Sequence, residues 1–311
     1  MNIFVNILII AGSIFGLWGG AVWVVESASR LAKKLGLSEL VIGLTVVAIS
    51  TSAPEFAVTV SAAIKGQSAI SVGNVVGSNI FNLGFILGLV AIFSNMKTSK
   101  KLLYRDGSLL IATGIILLIF FYDHTLSFFE GVLLAGTLVI YVIYLIQHKE
   151  KGEIVEEIPT GEFKWLDIPK LIVGVGIIII SADYLVEAAS QLARVFGVSE
   201  WMIGITIVAA GTSMPEFATS VVAISKGRHG ISAGNLIGSD LFNLLGVLGT
   251  AAIIHPLHIH TNEYIGLILL AVSYVILLIM MRTGWKISRT EGIILILIAI
   301  LRWSIDFIFY F

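Results

Sequence analysis

Glu55 and Glu216 each stand in the middle of an otherwise apolar stretch, and they are the same residue written twice. Residues 38–88 recur as residues 199–249 at an offset of 161, with 28 of 51 positions identical. A carboxylate at bilayer depth costs about 2.5–3.5 kcal/mol on insertion scales, so two at matched positions imply a shared partner that offsets the cost. A cation is the simplest one.

The residues around them supply oxygen and nothing softer. Pro54 precedes Glu55 and Pro215 precedes Glu216. Proline has no N–H for the carbonyl four residues back, so each helix should break, at 50–53 and at 211–214, and free backbone oxygens beside the carboxylate. Thr51, Ser52, Thr212 and Ser213 add hydroxyls in the same turns. Irregular backbone at this depth is tolerated only where it is buried in protein or lines a cavity. An all-oxygen site with two carboxylates and no His or Cys suits a hard cation. Ca²⁺ takes six to eight oxygens flexibly, whereas Mg²⁺ dehydrates reluctantly and Zn²⁺ prefers nitrogen or sulfur.

A second repeated motif, Gly-Asn-x-x-Gly-Ser, occupies 73–78 and 234–239. Its glycines lie four apart, so another helix can pack closely. Ser78 and Asn82 share a helical face, as do Ser239 and Asn243, and both pairs are candidate ligands. Asp240 stands where the first copy has the neutral Asn79. It reads either as a third ligand or, with slight preference, as a charge in a water-filled vestibule.

These residues need a membrane to sit in. The chain has 311 residues, 57% hydrophobic and only 13% charged, with a mean hydropathy of +1.00. Soluble domains carry about a quarter charged residues, so this is an all-α integral membrane protein. A net charge of −1 calls for no nucleic-acid partner, and the absence of cysteine excludes disulfides and thiolate sites. At about 20 apolar residues per span, ten helices are expected: 3–25, 40–64, 70–93, 108–122, 126–147, 168–189, 201–224, 231–254, 264–281 and 293–309. The first lacks a basic leader and reads as a retained span.

The acidic stretch 149–166 is the linker, dividing 1–148 from 167–311. Five spans per half is odd, so the second half enters the membrane inverted. Of 19 Lys and Arg residues, only Lys65 and Arg194 fall in loops on the side opposite the linker. The positive-inside rule then puts the linker in the cytoplasm and both termini outside the cell membrane.

Other polar residues have plainer readings. Asp183 and Glu187 read as interfacial charges rather than a cation funnel, Glu187 matching Glu26 in the other copy. His255, His258 and His260 lie in one loop with no matched copy, and Arg302 with Asp306 reads as an ion pair within the last helix.

The pair Thr51–Glu55 and Thr212–Glu216, each followed by Gly-Asn-x-x-Gly-Ser, resembles the two alpha-repeats of the cation/Ca²⁺ antiporter superfamily, in its compact prokaryotic Na⁺/Ca²⁺ exchanger branch. The resemblance implies a sodium/calcium exchanger-like fold of ten helices in two inverted repeats. It further implies that Glu55 and Glu216 bind Ca²⁺ and Na⁺ competitively. Oxygens of Ala48, Thr51, Ser52, Ser78, Ala209, Thr212, Ser213 and Ser239 would complete the sites. Helices one and six would slide over the core to switch access. Some members carry an aspartate at the position of Asn243, which leaves the central occupant open here. The ions, the lipid bilayer and no obligatory protein are the partners implied. H⁺/Ca²⁺ exchange and K⁺-dependent Na⁺/Ca²⁺ exchange are the alternatives within transport. A membrane phosphatase would need arginines beside the motifs, which are absent from the sequence, and opposed broken helices favour a carrier over a channel.

Overall fold

The computed structural model describes residues 3–148, 162–198, 207 and 209–309. Twelve helical segments organise them: α1 (Ile3–Leu35), α2 (Glu39–Thr51), α3 (Ala53–Ile64), α4 (Ser68–Ser94), α5 (Leu102–Asp123), α6 (Phe128–Gln147), α7 (Asp167–Val195), the short α8 (Ala209–Gly211), α9 (Met214–Ser225), α10 (His229–Ile254), α11 (Thr261–Arg282) and α12 (Arg289–Phe309). Among the described residues, seven helices are long and apolar enough to cross a membrane, and α2 with α3 form an eighth span bent by 51°. The segments α8 with α9, and α12, stand where the repeat places the remaining two spans. Of the expected span 201–224, residues 201–206 and 208 lie outside the described residues.

Two small antiparallel ladders demonstrate the inversion. Met96–Lys97 (β1) pairs with Lys286–Ile287 (β4), and Thr125–Leu126 (β2) pairs with Leu257–His258 (β3). The span α5 runs from β1 to β2, so the two ladders cap opposite ends of the bundle. Its repeat mate α11 runs from β3 to β4, back from the second end to the first. Equivalent helices therefore point in opposite directions.

Finer marks recur at the same offset of 161. Positive φ angles fall at Gly36 and Gly197, Gly66 and Gly227, and His124 and Trp285. A π-helical stretch at Phe81–Ile86 is repeated at Phe242–Val247, and the N-terminus of α6, where Ser127 and Glu130 bond reciprocally, is repeated in α12 by Ser288 and Glu291. Backbone duplication thus extends well beyond the 51 residues where side chains still match.

Helices α1 and α7 lie along each other, so close that Gly20 and Gly174 each face the other's backbone carbonyl. With Ile42 and Val47 of α2 and Ala218, Val222 and Ala223 of α9 they form a second core, beside the main one that α4 and α10 build with the peripheral spans. The glycine motif of the second copy works as its spacing requires. A Cβ on Gly238 would lie 2.7 Å from both the Cα and the carbonyl oxygen of Leu44, and one on Gly234 would lie 2.8 Å from the Leu44 nitrogen. Gly238→Ala is therefore expected to push α10 off α2, at about 1–3 kcal/mol for an overpacked contact, and to lower the thermal midpoint of the purified protein. An unchanged midpoint would show that the contact is slack.

Several boundaries differ from the sequence expectation. The first helix continues ten residues past Val25 because Glu26 and Arg30 are paired with Lys226 and Asp167. The fourth span begins at Leu102 rather than Ser108, since Arg105 donates to the buried Asp106, whose Oδ1 also accepts the Tyr141 hydroxyl at 2.7 Å. Once paired, those charges no longer end the span.

Candidate cation site

The prolines act where the sequence places them. Pro54 and Pro215 occupy the first turns of α3 and α9, and the chain leaves helical geometry at the serine just before each helix, Ser52 (φ −82°, ψ 13°) and Ser213 (φ −89°, ψ 7°). Glu55 and Glu216 therefore also lie in the first turn of a helix, where unpaired N–H groups favour an anion. Both are fully buried, as are Ser52 and Ser213.

The two copies reach into each other. Ser52 donates to Glu216 Oε1 at 2.8 Å, and Ser213 donates to Glu55 Oε1 at 3.1 Å. Ser239 also donates to Glu216 Oε1, at 3.3 Å, and lies 3.5 Å from the Thr51 hydroxyl. Thr212 stands beside Glu55 in the same way that Thr51 stands beside Glu216. The Ala48 carbonyl is a less free ligand than expected, accepting from the Ser52 N–H at 3.0 Å and from the Thr51 hydroxyl at 3.2 Å. Ala209 opens the short helix α8 on the matching side of the second break.

Beyond the glutamates lies a ring of amides. Asn82 donates to Asp240 Oδ1 at 3.1 Å, Asn243 donates to Asn79 Oδ1 at 3.0 Å and reaches Ser78 Oγ at 3.4 Å, and Asn79 donates to the Asp240 carbonyl and to the Tyr274 hydroxyl. Asp240 is 0% exposed, which overturns the preference for a vestibule. Its helix face turns inward against α4, because α10 is buried along the whole of His229–Leu241.

The electrostatic character of the site follows from which atoms are left over. Glu55 Oε2, Glu216 Oε2, Asp240 Oδ2, Asn82 Oδ1, Asn243 Oδ1 and Thr212 Oγ1 are buried and have no hydrogen-bond partner among the described residues. All are oxygens, and five can only accept. Leaving such groups unpaired costs about 1–3 kcal/mol each, more when charged. Hard cations are the species that satisfy acceptors alone. Among the described residues no three His, Cys, Asp or Glu side chains converge in one metal cluster. A cation here would have to draw on neutral oxygens beside the glutamate pair.

Comparison with known proteins decides the family. The model of the sodium/calcium exchanger protein family matches residues 5–147 and 168–303. The chain belongs to the sodium/calcium exchanger family. Among members, the sodium/calcium exchanger MaX1 of Methanosarcina acetivorans is 35% identical, the alignment covering 94% of this chain and 96% of that protein. The putative antiporter CaxA of Alkalimonas amylolytica is 33% identical over 94% and 95%. A solved structure of the sodium-calcium exchanger NCX_Mj superposes with a TM-score of 0.85 at 28% identity, covering 97% of this chain and 99% of that one.

Sequence reasoning passes over two residues of this candidate site. Asn74 and Asn235 were read only as part of a packing motif, yet each clamps the backbone of a glutamate. Asn235 donates to the Glu216 carbonyl at 3.2 Å and to Ser220 at 3.0 Å, and Asn74 donates to the Glu55 carbonyl at 3.4 Å and to Thr59 at 3.0 Å. Their exact duplication was the available signal. Tyr274 carried none, since its repeat mate is Thr113.

The remaining candidates sit apart. Asp183 and Glu187 are exposed on α7. His258 contacts the Thr125 hydroxyl at 3.0 Å, His255 its neighbour's carbonyl, and His260 heads α11. The side chains of Arg302 and Asp306 lie outside the described residues.

Proposed function

We propose that this chain is a secondary antiporter that exchanges Na⁺ for Ca²⁺ by alternating access, with Glu55 and Glu216 as the shared ligands. The observation that carries the reading is the set of buried, acceptor-only oxygens at the crossing of two broken helices. Two carboxylates balance one Ca²⁺, and hydroxyl and carbonyl oxygens of Ala48, Thr51, Ser52, Ala209, Thr212 and Ser213 accommodate Na⁺ when it leaves. Ser78, Ser239, Asn82, Asn243 and Asp240 extend the site toward the core. Because the empty site leaves carboxylates uncompensated in a low-dielectric interior, the chain reorients only when loaded, which makes exchange obligatory.

In this reading the end that carries Lys97, Lys226, Arg228, Lys286 and Arg289 faces the cytoplasm. Both termini lie outside, and residues 149–166 join repeats 1–148 and 167–311 on the cytoplasmic side. The relatives named sodium/calcium exchanger support the ion pair. The test is Ca²⁺ flux in proteoliposomes with Na⁺, K⁺ or H⁺ gradients imposed one at a time. Uptake driven by Na⁺ alone is expected; uptake driven equally by a pH gradient without Na⁺ would move the assignment to H⁺/Ca²⁺ exchange.

A further inference from the structure

The two repeats have nearly one sequence but are not in one conformation. On α9, Ala218, Val222 and Ala223 are buried beneath Val24, Val25 and Ala28 of α1. At the equivalent places on α3, Ala62 is likewise buried, but Ala57 and Ser61 are exposed, and Val58 is 39% exposed whereas its mate Thr219 is fully buried. The covering helix is the difference. α1 packs along α9, while its mate α7 makes no comparable contact with α3. Among the described residues, α9 is covered at the Lys226 end and α3 is uncovered at the Lys65 end.

The closed end is held by charge. Lys226, following α9, donates to Glu26 of α1 at 2.7 Å, and Ser29 of α1 donates to Glu39 at the start of α2. Separately, Arg30 of α1 contacts Asp167 of α7 at 2.8 Å, and Lys34 lies 4.1–4.2 Å over the rings of Phe163 and Trp165, which ties α1 to the start of α7. The first two contacts join the α1–α7 layer to the core. The last two hold that layer together.

Shifting by 161 residues gives the same parts at the open end. Glu26 maps to Glu187 and Lys226 to Lys65. The pair within the layer does not survive, since Arg30 and Asp167 map to Gln191 and Asn6. In the structure Glu187 is exposed and accepts only from Gln191, at 3.2 Å, and Lys65 is exposed without an ion pair among the described residues. In an inverted-repeat carrier the opposite state is reached when the repeats exchange conformations. We infer that Glu26–Lys226 and Glu187–Lys65 are alternating gate latches: one forms as the other breaks, each sealing the end of the transport path on which it lies. Both pairs sit at the surface, so each biases the state populations by roughly five-fold rather than locking them.

The proposal rests on the alternating-access part of the proposed function and not on the identity of the ions. The chain contains no cysteine, so engineered thiols report without background. One variant carries Glu26→Cys with Lys226→Cys, and a second carries Lys65→Cys with Glu187→Cys. A short, cleavable bifunctional thiol reagent, matched to the reach of a Lys–Glu pair, is applied in liposomes. Both pairs are expected to cross-link and to arrest exchange until the tether is cleaved. Cross-linking of 26–226 alone, or a 65–187 tether that leaves exchange running, overturns the latch. Where a cysteine pair transports nothing before cross-linking, charge reversal replaces it: Lys65→Glu with Glu187→Lys should exchange better than either single reversal, and additive losses overturn the proposal. Ion-specific failure is separable, because tethering is read on the protein even if Na⁺ and Ca²⁺ prove to be the wrong ions.

Discussion

Replacing either Glu55 or Glu216 by glutamine is expected to abolish Ca²⁺ exchange while leaving the folded protein in the membrane. Each glutamate already accepts a serine hydroxyl from the other repeat on Oε1, and glutamine can keep that bond. What it loses is the charge at the orphaned Oε2. One carboxylate cannot balance Ca²⁺ in a buried site, and an uncompensated buried charge costs about 3–5 kcal/mol. That corresponds to a fall of more than roughly 100-fold in apparent affinity. The measurement is Na⁺-driven ⁴⁵Ca²⁺ uptake in proteoliposomes at matched protein, with the thermal midpoint as a folding control. Near wild-type uptake by either variant would mean that the transported cation sits elsewhere. Because the serines cross between repeats, Ser52→Ala should resemble a weakened Glu216 variant rather than a Glu55 one.

The core of this site was legible because its physics is local. Pro54 and Pro215 break helices wherever they stand inside an apolar run, and the 161-residue echo places the two breaks in matched positions with no knowledge of the fold. The direction of the second repeat was legible from an odd number of spans. The crossing of the serines was not, since Ser52 sits three residues from Glu55 and its partner is the glutamate 164 residues away. Nor was the extent of α1: isolated charges look like the end of a span until their partners, here Lys226 and Asp167, are brought to them by the tertiary fold. Asp240 failed for the same reason. Helical angle alone set it near the face of Asn243, but whether that face met water or α4 was a packing question.

Full burial changes the expected behaviour of Asp240. Asn82 satisfies Oδ1 at 3.1 Å, Oδ2 has no partner, and Asn79 is committed to the Asp240 carbonyl and to Tyr274. A carboxylate with one amide donor and no solvent is costly to leave bare, and in the proposed function a transported cation offsets that cost. Asp240→Asn is therefore expected to lower apparent Na⁺ or Ca²⁺ affinity by roughly ten-fold or more, equivalent to about 1.4 kcal/mol. The loss should be the same at low and high ionic strength, because salt screens exposed charges and hardly reaches buried ones. Moving the acid three residues along α10, with Asp240→Asn plus Asn243→Asp, keeps it in the same ring of amides. The repositioned carboxylate takes the place of an amide oxygen that is itself unpaired, so the double variant should recover most of the affinity lost by the single one. Apparent affinities of both variants at two ionic strengths separate the outcomes. A mild loss that added salt erases would mean that Asp240 meets water during transport and acts on the ions only through a screened field. A large loss without recovery in the double variant would make the position, and not only the charge, the requirement, with the Asn82 amide as the group that imposes it.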